Sequence, residues 1–204
     1  MRPIVLGVAA EGGRVALAVT RYVVESNPGT WPTTLSKRIE LLDLRRFDKP
    51  AAFLRWLDLQ ALDLRTTLGN GPIRMLVDAS GLDGVGLVRA LNGPWYHECR
   101  WKDRRMAGLV KIVPGDAPPR RSERGMEIGR IFLAGLLNAR LEEDLKVVTK
   151  SLRSELASQL KAFREREERS AGNPEDLVTA LQLAVVEWEH MERTSNSRIA
   201  PENP

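Results

Sequence analysis

The stretch IVLGVAAEGGRVALAV at residues 4–19 limits the fold more than any other part of the chain. Ile4, Val5, Leu6 and Val8 form a continuous apolar run, the pattern of a buried strand. It enters a glycine turn, Glu11-Gly12-Gly13-Arg14, and leaves it as VALAVTRYVV (15–24), rich in β-branched residues. A tight hairpin is the simplest reading. Strands this apolar need cover, so the rest of the chain must build a sheet with packed faces around them.

The remaining segments supply that sheet. ESNPGTWPTTLS (25–36), with its prolines, glycine and small polar residues, marks a loop, and KRIELLDLRRF (37–47) resumes a strand-like pattern. Pro50 opens a helix with Phe53, Leu54, Leu57, Ala61, Leu62 and Leu64 at helical spacing, closed by GNGP (69–72). A fourth strand, IRMLVD (73–78), ends in Asp78 and turns through Gly81 and Gly84 into a helix, and GLVKIVPG (108–115) predicts a fifth strand. DAPPRRSERG (116–125) is basic, proline-rich and aperiodic, so a loop is expected there. Helices are expected over 126–141, 151–169 and 175–191, with a short strand over 143–148. In the last helix, Leu177, Val178, Leu181, Ala184, Val185 and Trp188 draw one apolar face. The polar residues 193–204 read as a flexible C-terminal tail on a single domain spanning 1–192.

Composition narrows the function classes. A single cysteine, Cys99, excludes an intramolecular disulfide and a cysteine-based zinc site, and its simplest reading is an incidental thiol. No apolar run approaches a membrane span, and the N-terminus makes no convincing signal peptide, so the expected location is cytoplasmic. The net charge of +4 is compatible with a nucleic-acid partner without pointing to one. His97 and His190 have no ligand-like spacing and read as non-catalytic. Glycines in ASGLDGVG (79–86) lack both a lysine and the spacing of a nucleotide loop, so no nucleotide is expected.

Three antiparallel strands, a helix, a strand, a helix, a strand and closing helices make an α/β arrangement that is also the element order of the ribonuclease H-like fold: a mixed five-stranded sheet flanked by helices. Asp78 at a strand end, with Glu175 and Asp176 at a helix start, are acids that such a fold can bring to one sheet edge. Hard carboxylate oxygens there suit Mg²⁺ or Mn²⁺ and two-metal phosphodiester cleavage.

Three windows resemble the nuclease domain of phage terminase large subunits. RMLVDASGLDGVGLVRAL (74–91) is similar to that family's strand ending in Asp-Ala-(Thr/Ser)-Gly. SELASQLKAFRERE (154–167) followed by NPEDLVTALQLAVVEWE (173–189) resembles its closing helices, and IVLGVAAEGGRVALAV its first hairpin. The likeness in order covers roughly residues 3 to 190. It implies metal-dependent DNA cleavage by three acids, yet its first-strand Asp falls on Ala9, while Asp78 matches the second acid and Asp176 or Glu175 the third. The packaging ATPase's Gly-x-x-x-x-Gly-Lys-(Ser/Thr) loop does not occur in the sequence.

Two functions follow. Loss of the first acid favours a catalytically impaired, DNA-associated or assembly component, partnered by double-stranded DNA or other phage packaging or assembly proteins. The alternative is an active Mg²⁺- or Mn²⁺-dependent endonuclease in which Asp78, Asp176 and Glu175 act, with Glu11 or Asp83 filling the gap at Ala9. Each acid also has an ordinary reading: Glu11 as a turn residue, Asp83 as a helix cap, Asp78 bonded to the Ser80–Gly81 turn, and Asp176 at a helix dipole. The aromatic and basic stretch YHECRWKDRR (96–105) offers Arg100, Lys102, Arg104 and Arg105 as phosphate contacts, and 116–125 offers Arg120, Arg121 and Arg124. Trp95 and Trp101 read equally well as core or subunit-contact residues.

Overall fold

The computed structural model describes residues 4–27, 34–67, 73–93, 107–122, 125–165 and 176–197. The opening residues form the expected hairpin, β1 (Ile4–Glu11) and β2 (Arg14–Asn27), closed by Gly12 and Gly13 at positive φ. These two turn positions need backbone angles that glycine adopts without steric cost. β3 (Thr34–Phe47) pairs antiparallel with β2 and, like β2, runs three residues further into the expected loop. There follow α1 (Pro50–Thr67), β4 (Ile73–Asp78), α2 (Leu82–Leu91) and β5 (Ala107–Val113). The chain continues through β6 (Arg120–Ser122), β7 (Gly125–Gly129), α3 (Arg130–Glu143) and β8 (Leu145–Val147) to α4 (Arg153–Glu165) and α5 (Asp176–Ser197).

All eight strands among the described residues join one sheet in the order β6-β7-β5-β4-β1-β2-β3-β8. Its centre, β3-β2-β1-β4-β5, has β2 antiparallel to both neighbours and β1, β4 and β5 parallel, which is the ribonuclease H-like arrangement. The edge strands β6 and β8 are three residues each, short enough to discourage pairing with another chain.

Both faces are covered, as the apolar strands require. On one side Phe53 and Leu57 of α1 and Leu87, Val88 and Leu91 of α2 pack on Ile4, Leu6, Val8, Val15, Leu17 and Val19. On the other, α5 lies across β1 and β2, flanked by α3 and α4. The approach of α5 to β1 depends on Gly7, where a Cβ would fall 1.8 Å from the Ala180 carbonyl oxygen. Residues 180–188 of α5 are all buried, so this helix is enclosed on every side rather than along one apolar stripe.

The segment 116–129 departs from the sequence reading. Arg120–Ser122 adds a strand inside the expected loop, and Met126–Gly129, expected as helix, is the body of β7. The local pattern explains it: Met126 and Ile128 are buried and Glu127 between them is exposed, a period of two. The helix starts only after Gly129, where a Cβ would fall 2.3 Å from the Ala117 nitrogen and 2.4 Å from the Gly115 carbonyl oxygen.

Candidate functional site

The strand register brings the sites of interest onto one row across the α5 face. Ala9 of β1 pairs with Ala16 of β2, and Ala16 pairs with Arg46 of β3. On the other side, Val8 pairs with Val77 of β4, so the next position sets Asp78 beside Ala9. Strand neighbours in register point to the same face, and Leu76, two residues before Asp78, packs against Leu183 and Val186 of α5. The row therefore reads Asp78, Ala9, Ala16, Arg46, at about 4.8 Å per strand.

Ala9 is 5% exposed and lies in an apolar cluster with Ala16, Leu177, Val178 and Leu181. A methyl group thus occupies the position to which the terminase resemblance assigns the first acid, packed on the α5 side against apolar side chains.

Asp176, at the first residue of α5, is committed elsewhere. Its Oδ2 accepts from Arg46 Nε at 2.6 Å and its Oδ1 from Arg46 Nη2 at 2.7 Å, a bidentate pair. Gln159 Nε2 of α4 and the Leu177 backbone N–H also donate to Oδ1, at 3.0 and 2.9 Å. Gln159 Oε1 in turn accepts the N–H groups of Leu177 and Val178, capping α5 from α4. The third N–H group of Arg46, on Nη1, is bonded to Glu155. Burial raises the carboxyl pKa of Asp176, but the Arg46 hydrogen bond, Gln159, the Arg46 charge and the Leu177 N–H together hold it below the ordinary value. Arg46 is correspondingly held protonated, first by its bond to Asp176.

Asp78 stands at the C-terminal end of β4, half-buried, and its Oδ1 accepts from the Ser80 N–H at 2.9 Å and the Ser80 hydroxyl at 2.6 Å. The Ser80 hydroxyl oxygen also accepts from the Ile112 N–H at 2.9 Å, stitching the turn to β5. Gly84 lets α2 start directly over this turn, because a Cβ there would lie 1.7 Å from the Asp78 carbonyl oxygen. Asp83 lies in the first turn of α2, and its Oδ2 accepts from the Gly13 N–H at 3.0 Å. It latches the β1–β2 turn to α2; the N-cap position itself is Gly81, with no side-chain bond. Glu11 is exposed at the end of β1, paired in register with Arg14.

Of the remaining candidates, Glu175, Arg100, Lys102, Arg104, Arg105 and Arg124 lie outside the described residues, as do His97, Cys99, Trp95 and Trp101. Arg120 is exposed on β6, opposite Glu127 of β7. Arg121, next to it, donates from Nη2 to Glu187 at 3.0 Å.

The divalent-cation site implied by the terminase resemblance does not fit these residues. Ala9 has no donor atom, both oxygens of Asp176 bind a guanidinium, and Asp78 offers one oxygen to its own turn. Among the described residues, no group of three or more His, Cys, Asp or Glu side chains is placed to hold a metal ion. The sequence reading passed over Arg46, Gln159 and Glu155, which organise this end of the sheet. No described helix is long and apolar enough to cross a membrane.

No protein-family model matches the chain, and no curated protein matches it. Among solved structures the chain is similar to a Thermus thermophilus RuvC structure, at 11% identity and a TM-score of 0.41, over 94% of this chain and 96% of that one.

Proposed function

We propose that this chain is a non-cleaving ribonuclease H-like module of the terminase-nuclease type, working in the cytoplasm as a DNA-associated component of phage packaging or assembly. The observation that carries this reading is the burial of Ala9 among Leu177, Val178 and Leu181 where the first acid would stand. The locking of Asp176 by Arg46 supports it, because the guanidinium neutralises the carboxylate and holds both its oxygens, while Gln159 and the Leu177 N–H crowd Oδ1, so a cation would have to displace these partners. The three motif windows support the terminase side of the proposal. In this reading Arg100, Lys102, Arg104, Arg105, Arg120 and Arg124 supply phosphate contacts, and the protein uses neither a divalent cation nor a nucleotide.

The test is incubation of supercoiled plasmid with the protein and Mn²⁺, beside the Asp78→Ala variant and a duplex-binding assay across salt concentration. The expected result is no nicking by either form and salt-sensitive duplex binding by both. Nicking that Asp78→Ala abolishes would restore the endonuclease reading, with Glu175, Glu11 or Asp83 completing the site. Absence of binding at every salt concentration would point to an assembly role without DNA.

A further inference from the structure

A second charged cluster lies at the middle of α5, around Glu187. Glu187 is buried to 4% exposure, in the enclosed stretch of the helix. Its Oε1 accepts from Arg74 Nη1 at 2.9 Å and its Oε2 from Arg121 Nη2 at 3.0 Å. The two arginines arrive from different strands, Arg74 from the start of β4 and Arg121 from β6 at the sheet edge. Each side chain remains about half exposed, at 47% and 49%.

Neutralising one carboxylate requires one guanidinium, and here there are two. The cluster keeps a net charge of +1, and each guanidinium spends one N–H group on Glu187 among the described residues, with further donors at a solvent-facing surface. Anchoring on a buried carboxylate also fixes both side chains, so little rotamer freedom remains to be lost when a ligand binds. The local field is positive: besides burial, which is the larger cause, Arg121 and Arg74 lower the pKa of neighbouring His190 against the opposing effect of Glu187.

We infer that Arg74 and Arg121, held apart and aimed by Glu187, form a clamp for successive phosphates of a duplex DNA backbone. Two fixed planar forks, each with N–H edges beyond the one bonded to Glu187, match phosphate oxygens. It lies away from Asp78 and Arg46, so the contact positions DNA without bringing it to the former catalytic row. The inference rests on the DNA-associated reading above and assigns to it a site that joins Arg121 of the basic stretch 116–125 to Arg74, which neither basic stretch contains.

The test compares the full chain with the triple variant Arg74→Gln, Arg121→Gln, Glu187→Gln, which removes the charge while leaving a hydrogen-bonding network in place of the ion pairs. Fluorescence anisotropy with a labelled duplex gives the dependence of affinity on salt. Loss of the cluster's net charge of +1 lowers the slope of log K against log salt by about 0.9. Between 50 and 200 mM salt the natural chain then loses about 3.5-fold more affinity than the variant. A far-ultraviolet spectrum and urea midpoint establish that the variant is folded, and Arg74→Lys with Arg121→Lys in the natural background should retain most of the slope. Equal slopes for natural chain and folded triple variant overturn the clamp and leave the DNA reading standing. No duplex binding by the natural chain overturns both. If inorganic tripolyphosphate then stabilises the natural chain but not the variant, the pair holds a free oligophosphate, and the assignment to a DNA backbone is wrong.

Discussion

Replacing Arg46 by Met tests whether its guanidinium is the electrostatic organiser of the sheet end where Asp176 and Glu155 meet. Arg46 makes two bonds to Asp176 and one to Glu155, and the Asp176 side chain is only 9% exposed. Breaking a buried pair by deleting one partner costs about 3–5 kcal/mol. The lower end applies, because Arg46 retains 22% exposure, Glu155 is partly solvated, and Asp176 keeps Gln159 and the Leu177 N–H. At pH 7 the expected loss is about 3 kcal/mol, a fall of about 1.5 M in the urea midpoint for a slope near 2 kcal/mol per M.

The pH dependence carries the sharper test. In the natural chain the folded Asp176 pKa is depressed, so its stabilisation is present above the unfolded value, about 3.9, and is lost as pH falls through the folded value. Without Arg46, burial, already the largest single influence, is opposed only by Gln159 and the Leu177 N–H, and the folded pKa is expected to rise above the unfolded one. Protonation then favours the folded state, and the deficit of Arg46→Met should shrink as pH falls from 6 toward 4. Adding Asp176→Asn to Arg46→Met should recover about 2 kcal/mol at pH 7, a coupling expected for residues in direct contact. A deficit under 1 kcal/mol that does not change with pH, with no coupling to Asp176→Asn, would refute the argument and make this an ordinary surface pair.

Three further outcomes follow. Gly7→Ala forces α5 off β1 by setting a methyl into the Ala180 carbonyl, and should cost about 3 kcal/mol, the upper end for overpacking, read as a lower thermal midpoint. Thr20→Val removes the acceptor of the buried Trp188 Nε1–H, at 2.9 Å, and should cost about 1–3 kcal/mol in urea unfolding. Asp83→Ala should lower global stability by no more than about 1 kcal/mol, yet speed hydrogen exchange at the Gly13 amide, which loses its acceptor.

The central sheet was legible because its signals are local. Continuous apolar runs, the Gly12-Gly13 turn and a strand ending at Asp78 before Ser80 each specify their own geometry, and the Asp78–Ser80 turn forms as the residues suggest. β7 was misread because Met126, Ile128 and the following Ile131, Leu133 and Leu136 also fit a helical period. Only the sheet edge and the close packing of Gly129 on Gly115 and Ala117 separate the two. The Arg46–Asp176 pair was not legible. Arg45-Arg46 reads as a solvated strand end, and its partner lies far away in sequence, brought close by the crossing of α5 over β1 and β2. Glu187 was hidden for the opposite reason. A helix assumed to show one apolar face has room for a charge on its outer side, whereas here α3, α4 and the sheet leave no outer side over 180–188.

That enclosure bears on how the chain acquires its structure. The helix that seals β1 and β2 follows every other described element in the chain, so these two strands await a cover synthesised well after them. Contacts between such distant segments form slowly, since a long loop must close before any packing offsets it. During translation the Val5, Ala9, Ala16 and Ala18 surface stays bare while strands accumulate around it, a period in which intermolecular association competes with maturation. A ribosome-bound chain halted before Trp188 should therefore be protease-sensitive throughout, hairpin included.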